Sequence, residues 1–232
     1  MKQLQGTDLR LAHRIYLVLA ALFICSLVVS NLIFQKFFYW NPMGWFNFEI
    51  SVGLLPYPIT FLITDLVSEI YGRRKANDLV LAGIFASVFS LVIIAVADAA
   101  PAIATSPIDD LTFNKVFGAT TIAVIASMAA YLFAQFLDIQ IYHFWKKVTQ
   151  GKMLWVRNNF STVFSQFVDT CSVLLLLCFN GILSWSQFWP LLGAGFLFKV
   201  LVALVDTPLL YAGVYLFRRL FKLKTGEEIK ID

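Results

Sequence analysis

Charge is scarce in this sequence: Asp, Glu, Lys and Arg make up only 14% of the 232 residues, whereas hydrophobic residues make up 59%. Such a chain cannot cover itself with the polar surface of an ordinary soluble protein. The net charge of +4 comes from basic segments that flank apolar runs, and such segments suit anionic lipid headgroups. The composition therefore predicts a polytopic membrane protein whose partner is the lipid bilayer, and it indicates no nucleic-acid partner.

Histidine and cysteine are nearly absent. The two histidines, His13 and His143, fall at predicted membrane edges, and Cys25, Cys171 and Cys178 fall at membrane depth. There is no HExxH or GxSxG motif and no pair of histidines at membrane depth that could hold a haem. A free cysteine in an apolar run behaves as a small hydrophobic residue. We therefore expect no enzyme activity, no cofactor, no metal and no disulfide.

Apolar runs long enough to cross a bilayer, which needs about 20 residues, recur along the whole chain. We predict an all-α membrane protein in which residues 1–232 form a single integral membrane domain of six transmembrane helices. The predicted spans are residues 15–38, 53–71, 78–98, 119–142, 160–183 and 189–217.

The basic residues give this bundle an orientation. Most of the 18 Lys and Arg residues fall on one side of the predicted membrane, and only Lys36 and Lys115 fall on the other. The positive-inside rule makes the basic side cytoplasmic, so both termini are predicted to be cytoplasmic. The residues on that side are Lys2, Arg10, Arg14, Arg73, Arg74, Lys75, Lys146, Lys147, Lys152, Arg157, Arg218, Arg219, Lys222, Lys224 and Lys230.

The external connections carry weak structural signals. Residues 45–52 alternate apolar and polar side chains after the turn sequence NPMG, which predicts a short external β-hairpin between the first two spans. In the longer loop 101–118, Ser106 and Pro107 stand in helix-starting order, so we expect a short interfacial helix there.

Polar side chains inside the spans are the main functional signal. A charge at the centre of a membrane helix costs about 2.5–3.5 kcal/mol even on the mildest scale, so these residues must face one another or water. They are predicted to line a buried polar cavity that leans toward the cytoplasm. The set comprises Asn31, Thr60, Thr64, Asp65, Glu69, Gln135, Asp138, Asn158, Thr162, Ser165, Gln166, Asp169, Thr170, Lys199, Asp206 and Thr207.

Two further patterns concern the same spans. Pro56, Pro58 and Pro208 are expected to interrupt the second and sixth spans, and interrupted helices are common where carriers bind their cargo. The segments AQFLD (134–138) and SQFVD (165–169) repeat one Gln-Phe-x-Asp pattern on neighbouring, oppositely directed spans. An inverted repeat and chance similarity in a Phe-rich sequence are both open explanations.

Four segments in this order resemble the queuosine precursor transporter family, formerly grouped as vitamin uptake transporters: PITFLITDLVSEIYGRR, AQFLDIQIYHFW, VRNNFSTVFSQFVDT and FKVLVALVDTP. The resemblance implies uptake of a 7-deazaguanine across the bacterial inner membrane, namely the 7-cyano or 7-aminomethyl precursor base or queuine. It places the substrate-binding core on Asp65, Gln135, Asp138, Asp169 and Lys199, to which Gln166 is added. A second group of expected site residues comprises Asn31, Glu69, Asn158, Thr162 and Asp206.

The chemistry of these side chains fits a guanine-like edge. That edge offers two parallel donors beside a carbonyl acceptor, which a carboxylate and an amide or ammonium group can satisfy. A substrate-binding subunit of an energy-coupling-factor importer is the alternative function, and uptake by this chain alone would distinguish the two. The small bundle leaves a homodimer open.

Some of the charges also have a structural alternative. Lys199 could pair with Asp206 or with Asp169 only to fix helix register. Glu69 could extend toward Arg73 at the cytoplasmic surface, and Asp138 could turn toward Lys146 or Lys147. The carboxylates without so near a partner, and so favoured for ligand contact, are Asp65 and Asp169.

Overall fold

The computed structural model describes residues 2–34, 36–41, 44, 48–118, 121–179, 181 and 183–231. Within them the chain is mostly helical. Its helices are α1 (Gly6–Ile33), α2 (Tyr57–Ile70), α3 (Gly72–Asp98), α4 (Asp110–Phe113), α5 (Thr121–Val148), α6 (Leu154–Phe179) and α7 (Trp185–Phe221). Its strands are β1 (Lys2–Gln3), β2 (Phe37–Trp40), β3 (Phe48–Ser51) and β4 (Ile229–Lys230).

The prediction of an all-α membrane protein is confirmed at the level of class. In the described part of the chain, five helical segments are long and apolar enough to cross a membrane: Gly6–Ile33, Val52–Ile70, Gly72–Asp98, Leu154–Phe179 and Trp185–Phe221. Large apolar side chains such as Phe85, Val96 and Phe164 point out of the bundle. An outer surface of this kind suits lipid and not water. The chain is therefore a multi-pass membrane protein.

Helix α2 is the buried element of the bundle. It packs against α1, α3, α5 and α7, and its 14 residues make a helix of about 21 Å, shorter than a hydrocarbon core of about 30 Å. Pro56 and Pro58 flank its first residue, Tyr57, where proline is tolerated because the first N–H groups have no partner in the helix. A 3-10 turn, Val52–Leu54, precedes the helix. The predicted second span is thus a turn followed by a short helix that begins inside the bundle.

The predicted break in the last span is wrong. Helix α7 runs without interruption from Trp185 to Phe221 and contains both Pro190 and Pro208. Proline removes one backbone donor from the helix. Beside Pro208, the Thr207 hydroxyl donates to the Ala203 carbonyl oxygen at 3.0 Å, so side-chain bonding and packing support that turn of the helix.

The connections between helices differ in detail from their predictions. Strands β2 and β3 pair antiparallel between α1 and α2, with Phe38 opposite Ile50; residues 45–47 of the predicted strand lie outside the described residues. The short helix of the long loop begins later than predicted, because Asp109 and not Ser106 caps it by accepting from the Thr112 N–H at 2.8 Å. Hydrogen bonds from Thr112 lower the pKa of Asp109.

Both termini lie at one end of the bundle. Strand β1 pairs parallel with β4, and the Lys2 ammonium donates to the Phe221 carbonyl oxygen at 2.9 Å. Ile229 and Ile231 are buried against the main core. The two ends of the chain therefore close over the same face of the bundle, next to the start of α3 and the end of α7.

Candidate functional site

The polar residues that the sequence places inside the membrane gather along the buried helix α2. Side chains from α5, α6 and α7 meet it in four successive layers, which we call the polar seam. The seam accounts for the burial of most predicted site residues, as the insertion cost requires. Its buried members include Thr60, Thr64, Asp65, Glu69, Gln135, Asp138, Thr162, Ser165, Gln166 and Asp169.

The first layer lies at the start of α2 and contains an ion pair. The Lys199 ammonium bonds Asp169 Oδ2, and the Tyr57 hydroxyl donates to the same oxygen at 2.6 Å. Lys199 Nζ also lies 4.8 Å from the centre of the Tyr57 ring, a cation–π distance. Of the two partners left open for Lys199, the structure selects Asp169. The second carboxylate oxygen, Asp169 Oδ1, is buried and has no hydrogen-bond partner among the described residues.

A small cavity opens beside this layer. Its lining includes Tyr57, Phe61, Thr162, Gln166, Lys199 and Asp206. Its volume of about 20 Å³ is room for roughly one water molecule. The amide oxygen of Gln166 is buried there without a hydrogen-bond partner in the described part of the chain. The cavity therefore combines an unused amide acceptor, one ammonium group and aromatic rings.

The second layer is a closed hydrogen-bond network around Gln135. Its amide nitrogen donates to the Tyr131 hydroxyl at 2.7 Å and lies 3.4 Å from the Thr60 hydroxyl. Its amide oxygen lies 3.2 Å from the Thr64 hydroxyl. The Tyr131 ring also packs on Tyr57, with ring centres 4.7 Å apart. Gln135 therefore holds α2 and α5 together and positions the aromatic ring that underlies the first layer.

The third layer brings two carboxyl groups together. Asp65 on α2 and Asp138 on α5 are both buried and lie within electrostatic range of each other. Ser165 on α6 donates to Asp138 Oδ1 at 3.0 Å. The Thr162 hydroxyl faces Asp65, although its geometry makes no hydrogen bond to any described residue. Asp138 thus turns into the bundle toward Ser165 and Asp65.

The fourth layer, at the end where the termini meet, is a network of charges around Glu69. Glu69 is only 1% exposed, so the alternative in which it reaches the surface is wrong. Arg218 Nη2 donates to Glu69 Oε1 at 2.8 Å, and Lys146 Nζ lies 3.4 Å from Glu69 Oε2. Lys146 also bonds Glu228, close to the C-terminus, at 2.8 Å. The network ties α2, α5, α7 and the C-terminal segment together.

Two predicted residues have other positions. Asn158 donates to the Thr207 hydroxyl at 3.3 Å and joins α6 to α7. Asn31 lies away from the seam, on a separate cavity whose lining includes Ser87 and Ser90 of α3. The structure therefore does not bring Asn31 together with the other site residues.

Sequence reasoning missed the aromatic residues of the site. Tyr57 and Tyr131 contact the charged and amide groups directly. For Tyr131 a signal existed, because it precedes Gln135 by four residues and so shares its helical face. For Tyr57 the two flanking prolines marked a helix start, but nothing in the sequence pointed its side chain at a residue of another helix.

The bundle is multi-pass, and a polar seam is buried along the short helix α2, which begins within the bundle. Small-molecule carriers commonly have these features. A family described as "Putative vitamin uptake transporter" matches residues 51–213, which cover most of the seam. The chain belongs to this family and is a transporter. The resemblance drawn from the four sequence segments is thereby confirmed.

Two curated relatives give the comparison more detail. A "Probable queuosine precursor transporter" of Bacillus subtilis (strain 168) is 27% identical over 168 residues, which are 72% of each chain. A protein with the same name from Haemophilus influenzae (strain ATCC 51907 / DSM 11121 / KW20 / Rd) is 27% identical over 162 residues, 69% of this chain and 66% of the relative. No solved structure matches the chain.

Proposed function

We propose that the protein imports a queuosine precursor, a 7-deazaguanine, across the bacterial inner membrane. In this proposal residues 1–232 form one transporter domain with six spans, of which the 28-residue helix α5 is the fourth, and both termini are cytoplasmic. The names of the two relatives and the distribution of Lys and Arg support it. The substrate leaves the protein chemically unchanged.

One observation carries the substrate assignment: two buried acceptors stand unused near a buried ammonium group. Asp169 Oδ1 and Gln166 Oε1 make no hydrogen bond within the described structure. Gln166 and Lys199 line the cavity, and Asp169 adjoins it through its ion pair with Lys199. A guanine-like edge presents two donors next to a carbonyl oxygen. The two acceptors suit its ring N–H and exocyclic amine, and Lys199 suits its carbonyl. Unpaired buried polar atoms are costly, so a ligand that satisfies them gains affinity.

The walls of the cavity suit the flat ring of such a base. Tyr57, Phe61 and Phe198 all contribute to the lining, and aromatic side chains stack on planar ligands. A cavity of about 20 Å³ is too small for a purine-like base, since it holds roughly one water molecule. In our proposal the structure is therefore an occluded form, and the start of α2 moves away from α7 to admit the substrate.

The remaining predicted substrate residues lie further along the seam. The Gln135 amide is already hydrogen-bonded to Tyr131, Thr60 and Thr64, so we propose that Gln135 shapes the site and does not contact the substrate. Asp65 and Asp138 are two layers deeper than Asp169, on the inward part of the path. In this proposal Gln135, Asp65 and Asp138 lie on one route with the first layer, which makes the first contact with the base.

The test is ligand-induced thermal stabilisation of the purified protein by guanine, 7-cyano-7-deazaguanine, 7-aminomethyl-7-deazaguanine and queuine, because a ligand that binds the native state raises its stability. We expect at least one 7-deazaguanine to stabilise it and vitamins to have no effect. Gln166→Met removes the unused acceptor without breaking a described bond and should weaken binding about tenfold, since an unsatisfied buried donor costs roughly 1–3 kcal/mol. The surface variant Asp8→Asn is the control. No response to any deazapurine would exclude the proposal.

A second experiment separates a solitary carrier from a subunit of an energy-coupling-factor importer. The full chain alone, reconstituted in proteoliposomes, should take up the base that stabilises it. Uptake that appears only with added energising subunits would favour the alternative. Recovery of a chemically modified base after incubation with pure protein would contradict both.

A further inference from the structure

Asp65 and Asp138 form a pair of facing carboxyl groups in the centre of the bundle. They are 3% and 0% exposed and belong to different helices, α2 and α5, yet they lie within electrostatic range of each other. An ionised carboxylate has only acceptor atoms, so a hydrogen bond between two carboxyl groups requires a proton on one of them. Two carboxylates buried close together with no described cation between them would repel each other strongly, which favours a proton on one of them.

The positively charged side chains of the seam form ion pairs in other layers and not with Asp65 or Asp138. Lys199 pairs with Asp169, and Lys146 and Arg218 pair with Glu69, one helical turn further along α2 from Asp65. The groups that face the carboxyl pair from α6 are the neutral hydroxyls of Ser161, Ser165 and Thr162. From α5 the Tyr131 phenol lies within electrostatic range of Asp138, and from α7 Asp206 adds a third acidic group near Asp65. A buried acidic cluster of this kind needs a cation.

Unused polar atoms surround the pair. Asp65 Oδ1 and Asp138 Oδ2 are buried without a hydrogen-bond partner among the described residues. The Thr162 hydroxyl, on a residue that is 5% exposed, points at Asp65 from a third helix and is likewise unbonded there. The described residues contain no cluster of His, Cys, Asp or Glu suited to a metal ion. A proton needs only the two facing carboxyl groups to bind it.

The pair is connected to the substrate cavity through shared residues. Thr162 and Asp206 line that cavity, and the same two side chains face Asp65. A base that enters the cavity must contact or displace them, so occupancy of the cavity and the state of the carboxyl pair are mechanically linked.

We propose that Asp65 and Asp138 share a proton and form the proton-binding site that couples uptake to the proton gradient. The coupling rests on the proposed import function. The proton enters from the outer side, is held between the two carboxyl oxygens while the substrate cavity is filled, and leaves to the cytoplasmic side after the substrate. Glu69 and its two cations stand between the pair and that side.

The shared proton can be tested without any substrate. Infrared difference spectra of the purified full chain should contain the C=O stretching band of a buried protonated carboxyl group at neutral pH. The band should be lost or shifted in both Asp65→Asn and Asp138→Asn and unchanged in Asp8→Asn. Both variants should fold, since an amide keeps the volume and can donate the hydrogen bond. A spectrum without such a band, or a band unaffected by both substitutions, overturns the proton site.

Coupling is tested in proteoliposomes with 7-cyano-7-deazaguanine as the probe. An inside-alkaline pH gradient should make the wild-type protein accumulate the base. Asp65→Asn and Asp138→Asn should lose at least tenfold in gradient-driven accumulation, whereas the surface variant Asp8→Asn should accumulate the base like the wild type. Wild-type accumulation that ignores the pH gradient overturns the coupling. If no deazaguanine binds or exchanges at all, the proposed import function fails, and the infrared result still decides whether the proton site exists.

Discussion

Replacing Glu69 by Gln should destabilise the ligand-free protein. At the end of the bundle where the two ends of the chain meet, we expect no other single Asp or Glu substitution to have a larger effect. Glu69 is 1% exposed and receives Arg218 at 2.8 Å and Lys146 at 3.4 Å. The Tyr142 hydroxyl also donates to it at 3.2 Å. An amide keeps the shape of the side chain and removes the negative charge from between two cations.

The expected loss of stability depends on the exposure and the remaining bonding partners of Arg218 and Lys146 in the variant. Removing one partner of a buried ion pair costs about 3–5 kcal/mol. Arg218 is 25% exposed along its side chain, and Lys146 keeps Glu228 together with the backbone carbonyl oxygens of Ser68 and Glu69, so the cost is reduced to about 2–3 kcal/mol. For a chain of this size each kcal/mol shifts Tm by about 2–4 °C, which gives a loss of about 4–12 °C.

The measurement is the Tm of purified Glu69→Gln without ligand. The matched control is Glu227→Gln, because the one bond described for the Glu227 side chain is the bond it accepts from the Lys224 N–H at 2.9 Å. This variant should change Tm by no more than about 2 °C. Asp65→Asn, one helical turn before Glu69, should not lower Tm, since the amide keeps the volume of the side chain and can donate a hydrogen bond to Asp138. Equal Tm values for Glu69→Gln and the control would refute the stabilising role of this network.

Two further predictions concern packing and topology. Gly53→Ala should lower the stability by about 2 kcal/mol or more, because its Cβ would lie 2.6 Å from the Ser30 carbonyl oxygen. The control Gly193→Ala has open space around its Cβ and should leave Tm unchanged or higher. Equal effects of the two variants on Tm would contradict the close contact of α1 with the 3-10 turn. In a cysteine-free background, Lys147→Cys should react with a membrane-impermeant maleimide only after the cells are opened and Lys115→Cys in intact cells; labelling of Lys147→Cys from outside would overturn the orientation.

The burial of the polar residues could be predicted from the sequence because one physical rule decides it. Each charge inside an apolar run has to leave the lipid, and helical periodicity then indicates which residues share a face. Asp65, Asp138 and Asp169 were assigned to the interior on this basis, and the structure buries all three. The rule holds for each helix by itself, so it needs no knowledge of how the helices are arranged.

The pairing of those residues could not be predicted, because it depends on contacts between helices that are far apart in the sequence. Lys199 had two acidic candidates at suitable heights, and only the packing of α6 against α7 selects Asp169. Tyr57 bonds an oxygen 112 residues away. Pro208 misled the prediction for a related reason, since local preference favoured a break in the helix and tertiary packing kept α7 continuous.

The order of the layers gives the seam its physical logic. At both ends an acid is matched by cations, Asp169 by Lys199 and Glu69 by Arg218 and Lys146, and such pairs favour closed contacts between helices. Between them lies the carboxyl pair, whose charge no described cation balances. The layer of Asp65 and Asp138 has no counter-ion, so its charge can change as a proton arrives or leaves. The charges of the first and fourth layers stay constant because each acid there is paired with a cation. The short helix α2 carries Asp65 of the third layer and Glu69 of the fourth, so a movement of this one helix changes both layers at once.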